Sequence, residues 1–554
     1  MLSMNKWCTK DKVEKLPDSA KNLLVMELQN HNEKLAAENA KLVKLIETQN
    51  EIIRLKSTEP YIPSSEQTAY LFDEMELLAD MVTDNDTKEV TVKEHKRKVS
   101  HKIKELPENT PITVVDHTKN APDTYTAENG YVYKRTDDKV VDKIGFIPAK
   151  YYLERHLYPQ YSLKDFEPEK EERRTIVLWE NEKTDVLSAA PSLIAKTVIK
   201  KYADALPLYR QEAIFKREGV EISRQTLSNW LLKYSELLNP LKERFKYYLL
   251  KSPLINQDET PVQVLHLEKS KPSKTHFMFV RVGTACPDTG KERVIVQYTF
   301  IANRKIETLS QDSDLYNSYI MTDGLRGYLG LDKHLNCWVH AVRGIKKYLK
   351  INKKSSDARH ITAIVGKLYI IEKDLRKKYA ADKITRAEFI SERKTETQKV
   401  FEELKQFLDK TKGDYTPRSP MGTAINYFYT YWDSLIRYPE CFESSPDNNR
   451  AENSIRPFTL GRKNWLFCVS EAGADASAMY YSLIETAKAN KLNTFDYVWY
   501  IMMKAPSCKT DADWDQLMPW AVTEDNIANL HETRDRAKPD PDRTKKYIIR
   551  GSRR

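Results

Sequence analysis

Hydrophobic residues recur every seven positions near the start of the chain. Leu28, Leu35 and Leu42 form one row at this period. A second row at the same period contains Val25, Asn32, Asn39, Ile46 and Ile53. Leucine in one row, with β-branched residues and asparagine in the other, favours a parallel two-stranded coiled coil. We therefore predict a dimerising zipper over residues 20–57; the alternative is an amphipathic helix docked on its own domain.

The region after the zipper has weaker patterning. Residues 58–104 are predicted to form a linker that ends in a run of basic residues. Residues 105–165 contain short apolar runs at 112–115, 130–133 and 143–147, which predict strands of a small β module. This segment contains no cysteine and no other metal-ligand spacing.

Helical periodicity begins near residue 188 and continues to residue 250. Gly219 predicts a turn between two helices, and Ser223 is a good N-cap for the second. This arrangement is typical of a helix-turn-helix, and it would expose a DNA-recognition surface made of Arg224, Gln225, Ser228 and Asn229. Helical pairs of this kind are also common in bundles that bind no DNA, so both interpretations stay open.

From residue 254 the pattern changes to short apolar runs typical of strands. Five strands are predicted, at 261–267, 276–282, 294–301, 320–323 and 337–342. The predicted domains of this half are a catalytic core at 251–345 and 440–500, a charged helical insertion at 346–439, and a C-terminal segment with a basic tail at 501–554.

Three carboxylates of this half have the order Asp, Asp, Glu. Asp258 and Asp323 each lie on or beside an apolar strand, and Glu452 lies at the start of a predicted helix. Two Mg²⁺ ions about 3.5–4 Å apart can hold the attacking and leaving oxygens of a phosphodiester, and such hard cations prefer carboxylate ligands. The order is therefore that of the acidic triad of a strand-transfer nuclease using Mg²⁺ or Mn²⁺.

Each carboxylate also has a purely structural interpretation. Asp258 could open a turn before a proline, and Asp323 precedes a glycine, which is itself a turn signal. Glu452 could complete a capping box with Asn449. Their joint order beside apolar strands favours the catalytic interpretation.

Three further residues are candidates for the surroundings of this site. Asp447 and Glu259 are the nearest substitutes if one triad member is wrong. His340 lies on the predicted strand next to Asp323, where it could contact the scissile phosphate or a metal. A lone histidine on an apolar strand is also often a hydrogen-bonded core residue.

Two basic segments predict DNA contacts. One falls at helical spacing directly after the last strand and contains Arg343, Lys346, Lys347 and Lys350. The other combines charge with a stacking surface and contains Arg462, Lys463 and Trp465. The alternative for both is a solvated face, and for residues 465–467 it is a buried strand.

At these residues the chain resembles transposases of the insertion sequence 66 family. The matching segments are 206–211, 217–220, 258–261, 323–324, 327–328, 337–341, 447–449, 451–452, 461–467 and 482–488. The resemblance implies a DDE-type enzyme that cuts transposon ends and joins the liberated 3′-hydroxyl to target DNA, with the triad Asp258, Asp323 and Glu452. It also implies a leading zipper and possible accessory proteins of the same element.

The chain departs from the family's pattern at one module. Family members usually carry a cysteine-rich zinc module before the helical half, whereas residues 105–165 lack cysteine, so we predict no zinc. The six cysteines are scattered, which fits a reducing cytoplasm, here a bacterial one. No apolar run is long enough for a membrane span, and a net charge of +10 permits a nucleic-acid partner without proving one.

The sequence as a whole predicts a multidomain α/β DNA transposase with a ribonuclease H-like catalytic core. A coiled coil, a small β module and a helical helix-turn-helix-like region precede that core. The expected partners are transposon-end and target DNA, and a second copy of the chain. The alternative is a DNA-binding or assembly protein that retains the fold without catalysis.

Overall fold

A computed structural model describes most of the second half of the chain and shorter pieces of the first. The described residues are 17–58, 124–126, 132–134, 160–162, 175–177, 189–266, 276–285, 293–301, 317–324, 326–328 and 331–536. The chain divides into two compact units, one formed by residues 86–157 and the other by the rest. Within the smaller unit, strands β1 (Thr124–Thr126) and β2 (Val132–Lys134) pair antiparallel.

The N-terminal heptad region is one continuous helix, α1 (Asp18–Thr58). Its leucine row lies in solvent, because Leu28, Leu35 and Leu42 are 49%, 41% and 52% exposed. The helix nevertheless lies against the helices at Trp338–Ile351 and Pro420–Ile436, so both the zipper and the docked helix stay predictions. Several predicted regions lie outside the described residues: most of the linker, the strands at 112–115 and 143–147, and the basic tail.

The helices predicted over residues 188–250 are present. They are α2 (Pro191–Val198), which continues as a π-helical turn, α3 (Leu208–Arg217), α4 (Arg224–Leu237) and α5 (Asn239–Leu250). Ser223 caps α4 as predicted, because its hydroxyl oxygen accepts the backbone N–H of Thr226 at 3.1 Å. Gly219 makes the preceding turn with a φ of +82°.

A mixed five-stranded sheet lies at the centre of the larger unit. Its strands are β5 (Leu254–Val262), β7 (His276–Ala285), β8 (Arg293–Ile301), β9 (Tyr319–Thr322) and β10 (His334–Asn336), and β5 continues after one residue into the short β6 (Val264–His266). The order across the sheet is β10-β9-β5-β7-β8. The pairs β5–β7 and β7–β8 are antiparallel, whereas the pairs β5–β9 and β9–β10 are parallel. The fold is therefore mixed α/β. A separate pair, β3 (Gln160–Ser162) and β4 (Thr175–Val177), is antiparallel.

Two strand predictions are wrong in ways that affect the site. The first strand begins at Leu254 rather than 261, so Asp258 lies within it. The predicted strand at 337–342 is a helix, α6 (Trp338–Ile351). Its buried residues recur at helical spacing: Trp338, Val339, Ala341, Val342, Ile345 and Tyr348. The short apolar run could not by itself distinguish the two structures.

Helices make up most of the remaining chain. After α6 come α7 (Ser356–Ala380), α8 (Arg386–Thr411), α9 (Pro420–Ile436), α10 (Asn449–Trp465), the short strand β11 (Cys468–Ser470), α11 (Glu471–Ala489), α12 (Thr494–Lys504), α13 (Asp511–Asp515) and α14 (Glu524–Arg536). The insertion α7–α9 shares a core with α6, in which Trp338 stacks on Phe401 at 5.6 Å and donates its indole N–H to the Leu435 carbonyl. None of the described helices is long and apolar enough to cross a membrane.

Helix α11 closes the β8 edge of the sheet with polar side chains. Ser482 Oγ accepts the backbone N–H of Tyr298 at 2.8 Å, and Thr486 Oγ1 both accepts from and donates to the backbone of Val296. Asn490 continues the row one turn later. These residues replace a neighbouring strand, and they satisfy backbone groups that an edge strand would leave unpaired.

Candidate active site

Two of the predicted triad carboxylates lie close together, Asp258 within β5 and Asp323 directly after β9. β5 and β9 are parallel, with Asn256 opposite Met321. Asp258 and Asp323 each lie two residues beyond this last pair, and the charge of Asp323 acts on the carboxyl group of Asp258. Neighbouring strands are about 4.8 Å apart, and residues two apart share a face of the sheet. Continued by two residues, the register of β5 and β9 would put the two aspartates on the same face of the sheet.

The helix that carries Glu452 is fixed to the same strand by Asn448. The Asn448 side chain is fully buried, and its Nδ2 donates to the Gln257 carbonyl at 2.8 Å. Its Oδ1 accepts from Asn256 Nδ2 at 2.9 Å. Glu452 lies in the first turn of α10, one turn beyond this anchor, and is only 9% exposed. The anchor therefore holds the third carboxylate against the strand that carries Asp258.

The loop before α10 is also fixed to the start of α6. The backbone N–H of Trp338 donates to the Pro446 carbonyl at 2.8 Å, and that of Asn448 donates to Cys337 Sγ at 3.3 Å. The two sequence segments 337–341 and 447–452 therefore hold each other in place. Cys337 acts here as a buried hydrogen-bond acceptor.

The capping-box interpretation of Glu452 is wrong. The N-cap position is Asn448, and no side chain caps the helix from it. The N–H of Asn449 is accepted by Asp447 Oδ1 at 3.1 Å instead, so Asp447 has a local structural role. Glu452 is therefore not used to close the helix start.

Burial and mutual repulsion raise the pKa values of these carboxyl groups. The pKa of Asp258 lies well above its usual range, because of burial first and then the charges of Asp323, Glu259 and Glu452. Burial also raises the pKa of Glu452, to which Asp447 and Asp323 add, while Arg343 opposes the shift. The pKa of Asp447 is raised by burial to about 6. A cation bound among these groups would relieve the repulsion.

His340 lies beside Glu452, on α6 rather than on a strand. Its Nδ1 is 3.5 Å from Glu452 Oε1, and neither of these buried atoms has a hydrogen-bond partner. Burial, and then the charge of Arg343, lowers the pKa of His340 to about 3, so the imidazole is neutral at physiological pH. Its site-facing nitrogen can accept a proton, donate one or bind a metal, depending on the tautomer.

Possible metal ligands meet at this point. Ligand atoms of Cys337, His340 and Glu452 lie within 4.8 Å of one another. The i, i+3 spacing of Cys337 and His340 on a helical turn is the sequence signal that could have revealed this pair. The neighbouring Asp258 and Asp323 supply hard oxygen ligands, and Glu452 Oε1 has no other partner. The three carboxylates therefore fit a hard divalent cation such as Mg²⁺ or Mn²⁺, whereas the thiol of Cys337 does not suit one.

The predicted recognition residues of α4 are mostly exposed. Arg224, Gln225 and Asn229 are exposed, while Ser228 is half-buried. Gln225 Nε2 donates to Asn229 Oδ1 at 3.0 Å, so these two amides lie on one face of the helix. The contact to DNA itself stays a prediction.

The basic residues of α6 have different surroundings. Arg343 is half-buried and close enough to Glu452 to oppose its pKa shift. Lys347 and Lys350 are exposed, and Lys346 is half-buried. The helix therefore turns its apolar side to the core and its lysines outward.

Two residues of the basic and aromatic segment at the end of α10 make contacts within the fold. Arg462 donates to Thr260 Oγ1 at 2.7 Å and to the Pro261 carbonyl, which joins α10 to β5. Trp465 is half-buried and packs edge-on against Phe458 at 5.3 Å. Lys463 is exposed and is the basic residue of this segment that faces solvent.

These features define an α/β protein with a partly buried acidic site suited to divalent cations. A family model described as the IS66 transposase family matches residues 187–476, and one described as the IS66 C-terminal element matches residues 482–520. The first match spans more than half of the chain. The chain therefore belongs to the IS66 transposase family.

Relatives with similar sequences have no described activity. The chain is 28% identical over 348 residues to the uncharacterized protein y4qI of Sinorhizobium fredii, a match that covers 60% of this chain and 63% of that protein. It is 26% identical over 351 residues to the uncharacterized protein y4jD of the same organism, covering 61% and 67% respectively. The match thus spans less than two thirds of the first of these relatives. No solved structure matches the chain.

Proposed function

We propose that the chain is a DNA transposase that cuts transposon ends and joins the liberated 3′-hydroxyl to target DNA by metal-dependent phosphoryl transfer. The observation that supports this proposal most is the closeness of Asp258 and Asp323, at β5 and the end of β9, together with the anchoring of the Glu452 helix to β5 through Asn448. Membership of the IS66 family supports it. So does the strand order β10-β9-β5-β7-β8, which is the order expected of a ribonuclease H-like core.

The chemistry assigned to the chain's residues is mainly positioning and charge stabilisation. Asp258, Asp323 and Glu452 would hold one or two Mg²⁺ or Mn²⁺ ions. Such ions, when bound, stabilise charge on the phosphate and activate water or a 3′-hydroxyl as the nucleophile. The neutral His340 presents Nδ1 to the same space and can form a hydrogen bond with a phosphate oxygen or hydroxyl there. Arg343 adds a fixed positive charge beside the site.

DNA would reach this site across two exposed surfaces. The face of α4 that carries Arg224, Gln225 and Asn229 offers the guanidinium and amide groups that read base edges. Lys347 and Lys350 on α6 offer charges to the phosphate backbone. A helix-turn-helix role for α3 and α4 is part of this proposal.

The decisive experiment is cleavage of duplex DNA that carries the ends of the element. Purified full-length chain should nick this DNA at the element boundary in Mg²⁺ or Mn²⁺, and should leave it intact in EDTA. A duplex of the same length without the ends is the control for sequence specificity. Binding to the ends without cleavage under any metal condition would favour the alternative, a DNA-binding or assembly protein without catalysis.

Dimerisation through α1 is the second part of the proposed assembly. Replacing Leu28, Leu35 and Leu42 together by Asp should halve the solution mass measured by light scattering, because charged residues cannot form the buried seam of a coiled coil. Ala37 is exposed on the same helix but outside both apolar rows, so Ala37→Asp should leave the mass unchanged. A wild-type chain that is already monomeric at micromolar concentration would contradict the zipper.

A further inference from the structure

The turn that follows α10 has an unusual backbone conformation. Leu466 adopts φ 66° and ψ −52°, in a region that bulky L-residues rarely occupy. The N–H of Phe467 donates to the Trp465 carbonyl at 2.8 Å, which closes a three-residue γ-turn of the rare, strained hand. Such strain persists only where the surrounding structure enforces it, and it concentrates at functional sites.

The strained turn exposes apolar side chains to solvent. Leu466 is 63% exposed and Phe467 is 39% exposed. Val469, on the same side of the chain as Phe467, is 58% exposed. The alternative of a buried strand at 465–467 is therefore wrong. Large apolar side chains clustered on a strained turn indicate a contact surface rather than part of the core.

The base of the turn is rigid. Trp465 packs against Phe458 on one side, and the Lys201 ammonium lies 5.9 Å from its ring centre. On the other side, Cys468 donates its backbone N–H to the Gln263 carbonyl at 2.9 Å, where β11 joins β6. The exposed tip therefore projects from a fixed support.

The turn lies close to the acidic site along the same strand segment. It is joined to Thr260 and Pro261 through Arg462, and to Gln263 through β11. These positions lie two to five residues beyond Asp258, at about 7–17 Å along an extended strand. That distance corresponds to about two to five base steps of a duplex. The exposed Lys463 beside the turn suits a neighbouring phosphate.

We propose that Leu466 and Phe467 form a wedge that enters a base step of the DNA duplex and unstacks it, about two to five base pairs from the phosphate that is cut. The inference rests on the proposed function. Apolar wedges of Leu or Phe open base steps in other DNA-binding proteins, and the unstacking lets the strand bend. Here the opened step would let the scissile strand leave the duplex and reach the buried carboxylates.

The test compares a fully paired transposon end with the same end carrying mismatches about two to five base pairs from the cut. Leu466→Ser combined with Phe467→Ser should cut the paired end at least about 10-fold more slowly, since opening the step now lacks its wedge. The mismatched end, already open, should be cut at the wild-type rate. Leu460→Ser is the matched control, because Leu460 is 54% exposed on α10 but lies outside the turn.

Two further readouts separate the wedge from a structural role. The fluorescence of 2-aminopurine within those base pairs should rise on binding of the wild type in EDTA and stay low with the double variant. Leu466→Gly should raise the melting temperature, because glycine tolerates this backbone conformation, yet should still slow cleavage of the paired end.

The opposing outcomes are distinct. Equal loss of cleavage on both DNAs, or no loss on either, would overturn the wedge. A change of oligomeric mass in the double variant with unchanged cleavage would assign the turn to contacts between copies of the chain. Failure of the wild type to cut either DNA would instead contradict the proposed function.

Discussion

Glu452→Gln is expected to lower metal-dependent cleavage of transposon-end DNA by about 10³-fold or more, while binding to the ends persists. The substitution keeps the size of a side chain that is 9% exposed, and removes the charge that would hold a cation beside Asp258 and Asp323. Cleavage would be followed on end-labelled duplex under single-turnover conditions, with binding measured on the same DNA in EDTA.

Glu259→Gln is the matched control for this experiment. Glu259 follows Asp258 directly, and strand alternation turns it to the opposite face, the side of Gln257, which hydrogen-bonds with Tyr328. The Glu259→Gln variant should therefore cut DNA at a rate near that of the wild type. If Glu259→Gln abolished cleavage and Glu452→Gln did not, the triad would be wrongly assigned. Asp447→Asn tests Asp447, the other possible third carboxylate. The Asp447 carboxylate accepts the backbone N–H of Asn449.

Stability gives a readout of the same site that does not depend on activity. The raised pKa of Asp258 means that its charged form is less stable in the folded chain than in the unfolded one. This cost is present above the folded pKa and disappears as the pH falls toward the unfolded value of about 3.9. Asp258→Asn should therefore raise the free energy of unfolding of the metal-free chain at pH 7, with a smaller gain at lower pH. An equal loss of stability at every pH would indicate a structural aspartate.

Local sequence patterns predicted many of the helices and strands correctly, but the prediction was wrong for one short apolar run. Ser223 and Gly219 define the start of α4 through their own chemistry, so the sequence predicted that boundary. Residues 337–342 fit either a strand or a helix, and only packing against the insertion selects the helix. The error moved His340 to the wrong element, although its position near the acidic residues was expected.

The residue that anchors the site, Asn448, could not be assigned this role from the sequence for a different reason. Asp258, Asp323 and Glu452 could be selected as carboxylates beside apolar runs, and their catalytic role stays a prediction. Asn448 could not be selected, because its importance comes from hydrogen bonds to Asn256 and to the Gln257 carbonyl, almost two hundred residues away. A polar residue in a loop carries no local sign that it is fully buried.

Arg393→Met is expected to lower the free energy of unfolding by about 3–5 kcal/mol and to slow cleavage, although Arg393 lies in the helical insertion. Arg393 is fully buried on α8 and contacts Glu372 at 3.4 Å. It also donates to the carbonyls of Pro439, Cys441 and Ser444, in the loop that leads to Asn448. Loss of these donors would leave the Pro439 carbonyl without its Arg393 bond and loosen the loop that positions Glu452, although Arg376 still donates to the Ser444 carbonyl and Ser444 Oγ to the Cys441 carbonyl. Chemical denaturation and the cleavage assay would measure the two effects.

A matched control lies on the same helix. Arg386 pairs with Glu443 of the same loop at 2.6 Å but is 51% exposed, so Arg386→Met should cost at most about 1 kcal/mol. Adding Glu372→Met to Arg393→Met should not restore cleavage, because Glu372 also pairs with Arg376 at 2.8 Å and the loop still lacks the Arg393 donors. Full recovery of cleavage by the double variant would show that the ion pair alone matters. The insertion would then stabilise the fold without positioning the third carboxylate.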